Sequence, residues 1–168
     1  MSHDDTSAPA TGHPGEPPLP LEDHFCFTLY AASRAVTGAY RPLLDELGLT
    51  YPQYLVMVVL WQHGTAPVKD LVAALQLDYG TVTPLIKRLE ANGWIKRQRR
   101  ADDERVVEVA LTAEGAALSR NIRAVPLAIG DAMGLTPEEF RTAQDLLRRL
   151  TANVLHHTSG AERTAAAS

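Results

Sequence analysis

Apolar residues recur at helical spacing from Leu21 to Leu47 (Phe25, Leu29, Ala32, Val36, Leu43, Leu44, Leu47), which predicts a first helix. Pro42 is expected to bend or break it, and Gly48 to stop it. A second helix over Pro52–His63 is apolar almost throughout (YLVMVVLW) and is expected to be buried. A short third helix is predicted over Val68–Leu75, and a fourth over Thr81–Asn92 with Gly93 as its C′ glycine. Pro84 is comfortable only in a first turn, which favours Gly80 or Thr81 over Asp78 as the N-cap of the fourth helix. The period then changes. Trp94–Arg99 and Arg105–Leu111 predict two strands, the second rich in β-branched residues, joined as a hairpin by the polar Arg100–Glu104. Thr112 can cap a fifth helix over residues 113–130. Thr136-Pro137-Glu138-Glu139 starts a sixth. Thr136 is the N-cap, Pro137 sits at N1, Glu139 completes a capping box, and Leu135 with Phe140 forms a hydrophobic staple. The pattern carries that helix to about His156.

Two short helices followed by a two-stranded wing make a winged helix-turn-helix. The fold class is therefore mainly α (α+β), a winged helix-turn-helix with long N- and C-terminal helices that a minimal winged helix has no place for. They need another surface to cover them, and a second copy of the chain is the simplest supply. The expected organisation is one domain over residues 21–156, with dimerisation through 21–47 and 113–156 and DNA binding through 52–111. Residues 1–20 hold five of the eleven prolines and few large apolar side chains, and read as a disordered tail. Residues 157–168, small and polar, read as a second, flexible tail.

Composition narrows the class. At 168 residues with 45% hydrophobic content the chain has enough apolar material for a core. No apolar run reaches membrane-spanning length and no signal peptide opens the chain, so a cytoplasmic protein without a membrane partner is expected. One cysteine excludes an internal disulfide framework. The six histidines are scattered, the adjacent pair His156-His157 lies near a tail, and no metal or cofactor is assigned. The net charge of −4 hides an asymmetry: residues 1–23 hold five acids and no Lys or Arg, leaving +1 for the rest. Residues 87–105 concentrate seven basic residues against four acids. By charge alone that segment reads as a solvated hairpin, but a local basic field in an acidic protein also suits nucleic acid.

On a helical wheel Val82, Leu85, Ile86 and Leu89 share one face of the fourth helix, while Thr83, Pro84, Lys87 and Arg88 face away. Thr81 and Thr83 can meet phosphates or base edges, and Lys87 and Arg88 guanine or phosphate. Arg99, Arg100 and Arg105 flank a hairpin tip that carries Asp102, Asp103 and Glu104. Asp103 and Arg105 are two residues apart in a turn, so the carboxylate can hold the guanidinium in one orientation, ready for a narrow minor groove. The run Asp103-Glu104-Arg105 through Leu111-Thr112-Ala113-Glu114-Gly115 resembles the D-x-R-x5-L-T-x-x-G signature of the MarR family of dimeric winged-helix regulators. The resemblance covers about residues 21–156. It implies that Arg105 is the wing arginine, Asp103 its partner, and double-stranded DNA carrying a pseudo-palindromic operator the target of a homodimer.

Cys26 lies in the first turns of the first helix, in Cys26-Phe27-Thr28-Leu29-Tyr30. A packed cysteine is a small hydrophobe; a thiol near a helix N-terminus also gains thiolate character, which Glu22 and Asp23 oppose. Tyr30 stands one turn on. Tyr40 is 14 residues on, ~21 Å along a continuous helix, and so meets Cys26 only from a partner chain packed antiparallel. This C-F-x-L-Y segment, with Ala39 to Leu47 and Leu49-Thr50-Tyr51-Pro52-Gln53-Tyr54, resembles the organic-hydroperoxide regulator branch of the MarR family, in its one-cysteine type. The resemblance implies a repressor whose peroxide-sensing thiol is Cys26, with the phenols of Tyr30 and Tyr40 hydrogen-bonded to it across the dimer. The implied inducer is an organic hydroperoxide, with a low-molecular-weight thiol as partner in a mixed disulfide, or over-oxidation as the other end point. Two alternatives are a MarR-type regulator answering a small phenolic or aromatic ligand, with Cys26 merely packed, and a thiol peroxidase. The second lacks a Thr/Ser–Cys–Arg constellation around Cys26 and leaves the winged-helix signature unexplained, so no enzyme activity is expected.

Overall fold

The computed structural model describes residues 19–100, 103 and 105–165, the last six without their side chains. Residues 1–18, the bulk of the expected N-terminal tail, lie outside the described residues, as do Asp102 and Glu104 of the wing tip. The chain divides into two compact units, Met1–Gly38 and Ala39–Ser168.

In the first unit a single 3₁₀ turn, Leu21–Asp23, leads into helix α1 (Phe25–Asp45), of which the residues from Ala39 on count with the second unit. The His24 ring nitrogen Nε2 meets the Leu19 carbonyl at 3.1 Å and ties down the entry. The first helix thus starts at Phe25, four residues later than the periodicity suggests. Pro42 does not end it: only one turn follows the proline, so a single ladder bond is forfeited near a frayed end.

The second unit holds six helices among the described residues: α2 (Tyr51–His63), α3 (Val68–Leu75), α4 (Tyr79–Ala91), α5 (Ala113–Leu118), α6 (Val125–Met133) and α7 (Pro137–Ala165). Three antiparallel strands, β1 (Thr65–Pro67), β2 (Ile95–Arg99) and β3 (Val107–Leu111), lie in the order β1-β3-β2. Ala66 pairs with Val109, and Ile95 with Leu111. The nearly apolar α2 is central, as its composition requires: Val56, Met57 and Leu60 are fully buried in a core shared with Leu71 of α3, Val82, Ile86 and Leu89 of α4, and Ala66 and Val109 of the sheet. Gln53 is buried too, and its side-chain oxygen accepts the Thr50 N–H at 2.8 Å, so it caps α2.

The fifth helix of the sequence pattern is two helices. Helix α5 stops at Leu118, and α6 starts afresh at Val125 with Pro126 in its first turn, where the missing N–H has no ladder bond to lose. The last helix runs to Ala165, well past His156. The Thr158 hydroxyl returns to the Val154 carbonyl at 3.1 Å, and residues 157–165 are helical where the composition suggests a flexible tail. Helix α7 leaves Phe140, Leu146, Leu147, Val154 and Leu155 exposed. No helix among the described residues is long and apolar enough to cross a membrane.

The Leu111-Thr112-Ala113-Glu114-Gly115 run has a physical reason. The Thr112 hydroxyl donates to the Gly93 carbonyl at 2.7 Å and accepts the Gly115 N–H at 3.0 Å, capping α5. The Thr112 N–H bonds the Trp94 carbonyl, and the Trp61 indole donates to the Gly115 carbonyl at 2.9 Å. A Cβ at position 115 would collide with the Trp94 carbonyl. Gly115→Ala is therefore expected to destabilise the fold by about 3 kcal/mol. Denaturant unfolding measures this; a stability equal to wild type would show that α5 can shift freely.

Candidate functional site

Helix α4 buries Val82, Leu85, Ile86 and Leu89 and turns Pro84, Lys87 and Arg88 to solvent, with Thr83 half-buried. Its N-cap is Asp78, not Gly80 or Thr81: Oδ1 accepts the Thr81 N–H at 2.7 Å and Oδ2 the Thr81 hydroxyl at 3.2 Å. Pro84 thereby falls in the second turn. The carbonyl it leaves without a ladder partner belongs to Gly80, which is exposed to solvent, so the cost that argues against this cap is small. The Thr81 hydroxyl is committed to the cap. The two Thr81 bonds hold the Asp78 carboxyl below its ordinary value of 3.8. Because the folded pKa is depressed, the cap's contribution is present above that ordinary value and is lost only as pH falls through the lower, folded one. A carboxyl titration followed by NMR should place the Asp78 midpoint below 3.8; a midpoint at or above it would mean that the cap is not formed in solution.

The wing carries the cations. Arg105 Nε lies 3.3 Å from Asp103 Oδ1, which also accepts the Arg105 backbone N–H at 3.1 Å, while the Arg105 side chain stays 93% exposed. Arg100 reaches Glu108 at 3.8 Å, across the hairpin, and Arg99 ends β2 on the exposed surface. Arg97 is bound by Glu90 of α4. Between α3, α4 and the wing lies a cavity of about 430 Å³ bordered by Tyr79, Thr83, Arg97, Arg105 and Val107.

Cys26 is a free, exposed thiol in the first turn of α1. In the same unit, the Tyr30 hydroxyl accepts from Arg34 Nη1 at 3.2 Å, and the guanidinium carbon stands 5.7 Å from the Tyr30 ring centroid. Tyr40 belongs to the second unit. There it packs on Tyr51, with ring centroids 4.7 Å apart, and on Tyr54 at 5.6 Å; Tyr54 in turn meets Trp61 at 6.4 Å. Burial pushes all three phenols up, and for Tyr40 the neighbouring Tyr51 and Tyr54 add to the effect. Sequence reasoning singles out Tyr40 alone. Tyr51 and Tyr54 stand in the Tyr51-Pro52-Gln53-Tyr54 run, and their i,i+3 spacing at a helix start is the signal that they share a face.

A family model for the transcriptional regulator SarA/Rot matches residues 39–122. The chain is 46% identical over 128 residues to the organic hydroperoxide resistance transcriptional regulator of Bacillus subtilis, covering 76% of this chain and 85% of that one. Among solved structures it is similar to reduced AbfR of Staphylococcus epidermidis bound to DNA (31% identical, TM-score 0.69, covering 81% and 93% of the two chains). It is also similar to a mutant MarR from E. coli complexed with operator DNA (25% identical, TM-score 0.68, covering 73% and 90%).

Proposed function

The chain belongs to the MarR family of winged-helix, DNA-binding transcriptional regulators, and on that premise we propose that it is a homodimeric repressor released from its operator when an organic hydroperoxide oxidises Cys26. One observation carries the redox part of this reading. The sole cysteine is exposed on α1 within Cys26-Phe27-Thr28-Leu29-Tyr30, in a chain 46% identical to an organic hydroperoxide resistance regulator.

Helix α4 enters the major groove with Thr83, Pro84, Lys87 and Arg88 outermost, its start fixed by the Asp78–Thr81 cap. Arg105, oriented by Asp103, enters the minor groove, and Arg99 and Arg100 lie along the phosphate backbone. The second copy covers the apolar side chains that α7 exposes, and holds its own α4 about 34 Å from the first, one turn of DNA away.

The Cys26 thiolate attacks the terminal oxygen of the hydroperoxide. The O–O bond breaks, the alkoxide leaves and takes a proton to become the alcohol, and the sulfur, oxidised by two electrons, becomes a sulfenic acid. A low-molecular-weight thiol then condenses with it, losing water and leaving a mixed disulfide. With no second cysteine in the chain, the alternative is over-oxidation by further peroxide. Either product adds bulk or charge where a thiol met phenols: Tyr30 on the same helix, and the Tyr40 phenol of the second copy, with Tyr51 packed against it. The subunits repack, and the two recognition helices lose their spacing. Mass spectrometry of Cys26 after organic hydroperoxide, paired with binding to an operator selected from a randomised duplex pool, tests the reading. Oxidised protein that still holds the operator tightly ends it.

The cavity bordered by Tyr79, Thr83 and Arg97 supports a second reading, in which a small aromatic acid binds between recognition helix and wing. Release of DNA by such a ligand in the Cys26→Ser protein would favour it.

A further inference from the structure

Arg97 is a wing cation that binds the recognition helix itself. It stands on β2 opposite Val109, seven residues after Glu90, and the chain reverses between them at Asn92-Gly93, where Gly93 has φ +79°. Glycine takes that conformation without the strain a side chain would bring. The reversal brings three donors of Arg97 to one carboxylate. The backbone N–H bonds Glu90 Oε1 at 3.0 Å, while Nε and Nη2 reach Oε2 at 2.8 and 2.6 Å. Both side chains are about one-third exposed, so the pair is not a deeply buried charge that must be matched for stability alone. Its geometry is of the charge-assisted, multi-donor kind that fixes direction as well as distance.

We propose that Glu90 is a positioning residue for DNA reading: it locks the wing to the end of the recognition helix, so that helix and wing meet the major and minor grooves as one rigid body. The inference rests on the DNA-binding reading and names a residue of that site which the signature motif leaves out. Without Glu90, β2 keeps its ladder to β3, but the carboxylate that ties Arg97 to α4 is gone. The base of the wing stays pinned by Thr112 on Gly93 and Trp94 and by buried Ile95, but beyond Ile95 the wing loses its tie to α4, and Arg105 loses its register against Lys87 and Arg88. Because Glu90 neutralises the Arg97 guanidinium and holds it by Nε and Nη2, Arg97 acts as a link to α4 rather than as a phosphate contact.

Two measurements on the full chain test this, with Glu90→Ala and the near-isosteric Glu90→Gln, which retains acceptor oxygen but no charge. In DNA-free protein, hydrogen exchange of the amides of Arg97 to Arg99 should quicken at least tenfold in Glu90→Ala and less in Glu90→Gln, with the amides of α2 unchanged. On the selected operator, Glu90→Ala should lose hydroxyl-radical protection in the outer minor grooves while keeping dimethyl sulfate protection of guanines in the major groove. Unchanged exchange, or protection lost equally from both grooves, overturns the proposal. So does a steeper dependence of binding on salt, because Glu90 would then shield Arg97 from phosphate, each newly met phosphate adding about 0.9 to the slope. If the wild type selects no sequence from the pool, it is the DNA reading that falls, and the exchange data still decide whether Glu90 holds the wing.

Discussion

Cys26→Ser binds the operator with wild-type affinity and goes on binding it in the presence of organic hydroperoxide. Wild type under the same treatment loses about tenfold or more, the range of an ordinary two-site coupling. The change is local. Cys26 is exposed, and serine is close to it in size, so neither α1 nor the core of the second unit has reason to shift. What serine lacks is a nucleophile that attacks an O–O bond at neutral pH. A gel-shift titration with and without oxidant checks the outcome, beside mass spectrometry to show that the wild-type thiol has reacted. If Cys26→Ser still releases DNA on oxidation, another group senses the peroxide. Loss of binding without oxidant would mean that the thiol is structural after all.

Arg105→Ala should weaken operator binding about tenfold, about 1.4 kcal/mol, with dimerisation intact. The side chain is 93% exposed and leans on Asp103. Its loss therefore costs the fold almost nothing. It removes a cation that its carboxylate partner holds at the tip of the wing, and the salt slope of binding should flatten by about 1 for every phosphate that goes unneutralised. Sedimentation beside the binding assay separates the two effects. An unchanged affinity would mean that the wing does not reach the minor groove.

Much of the second unit is legible in the sequence because its signals are dense. Helix α2 is nearly all apolar, α4 has a four-residue buried stripe, and the strands of the wing are bounded by a polar tip. Three departures have distinct causes. Strand β1 is three residues ending in Pro67, too short for any period to show; only its pairing with β3 makes it a strand. The cap of α4 falls at Asp78 because an aspartate three residues before Thr81 outweighs the proline rule, which is weak where the orphaned carbonyl is exposed. The break between α5 and α6 escapes the apolar periodicity although Pro126 announces it. At the candidate site, Asp103 and Arg105 lie two residues apart and their pairing is readable. Glu90 with Arg97, and Tyr40 with Tyr51, meet only after the chain has turned, so no local pattern joins them.

With their ionisation displaced toward alkali by burial, the hydroxyls of Tyr40, Tyr51 and Tyr54 keep their protons throughout the conditions in which a cell grows. The cluster therefore stays uncharged, its hydroxyls able to donate and to accept hydrogen bonds. Any acidity dependence of the signal thus originates outside these three phenols.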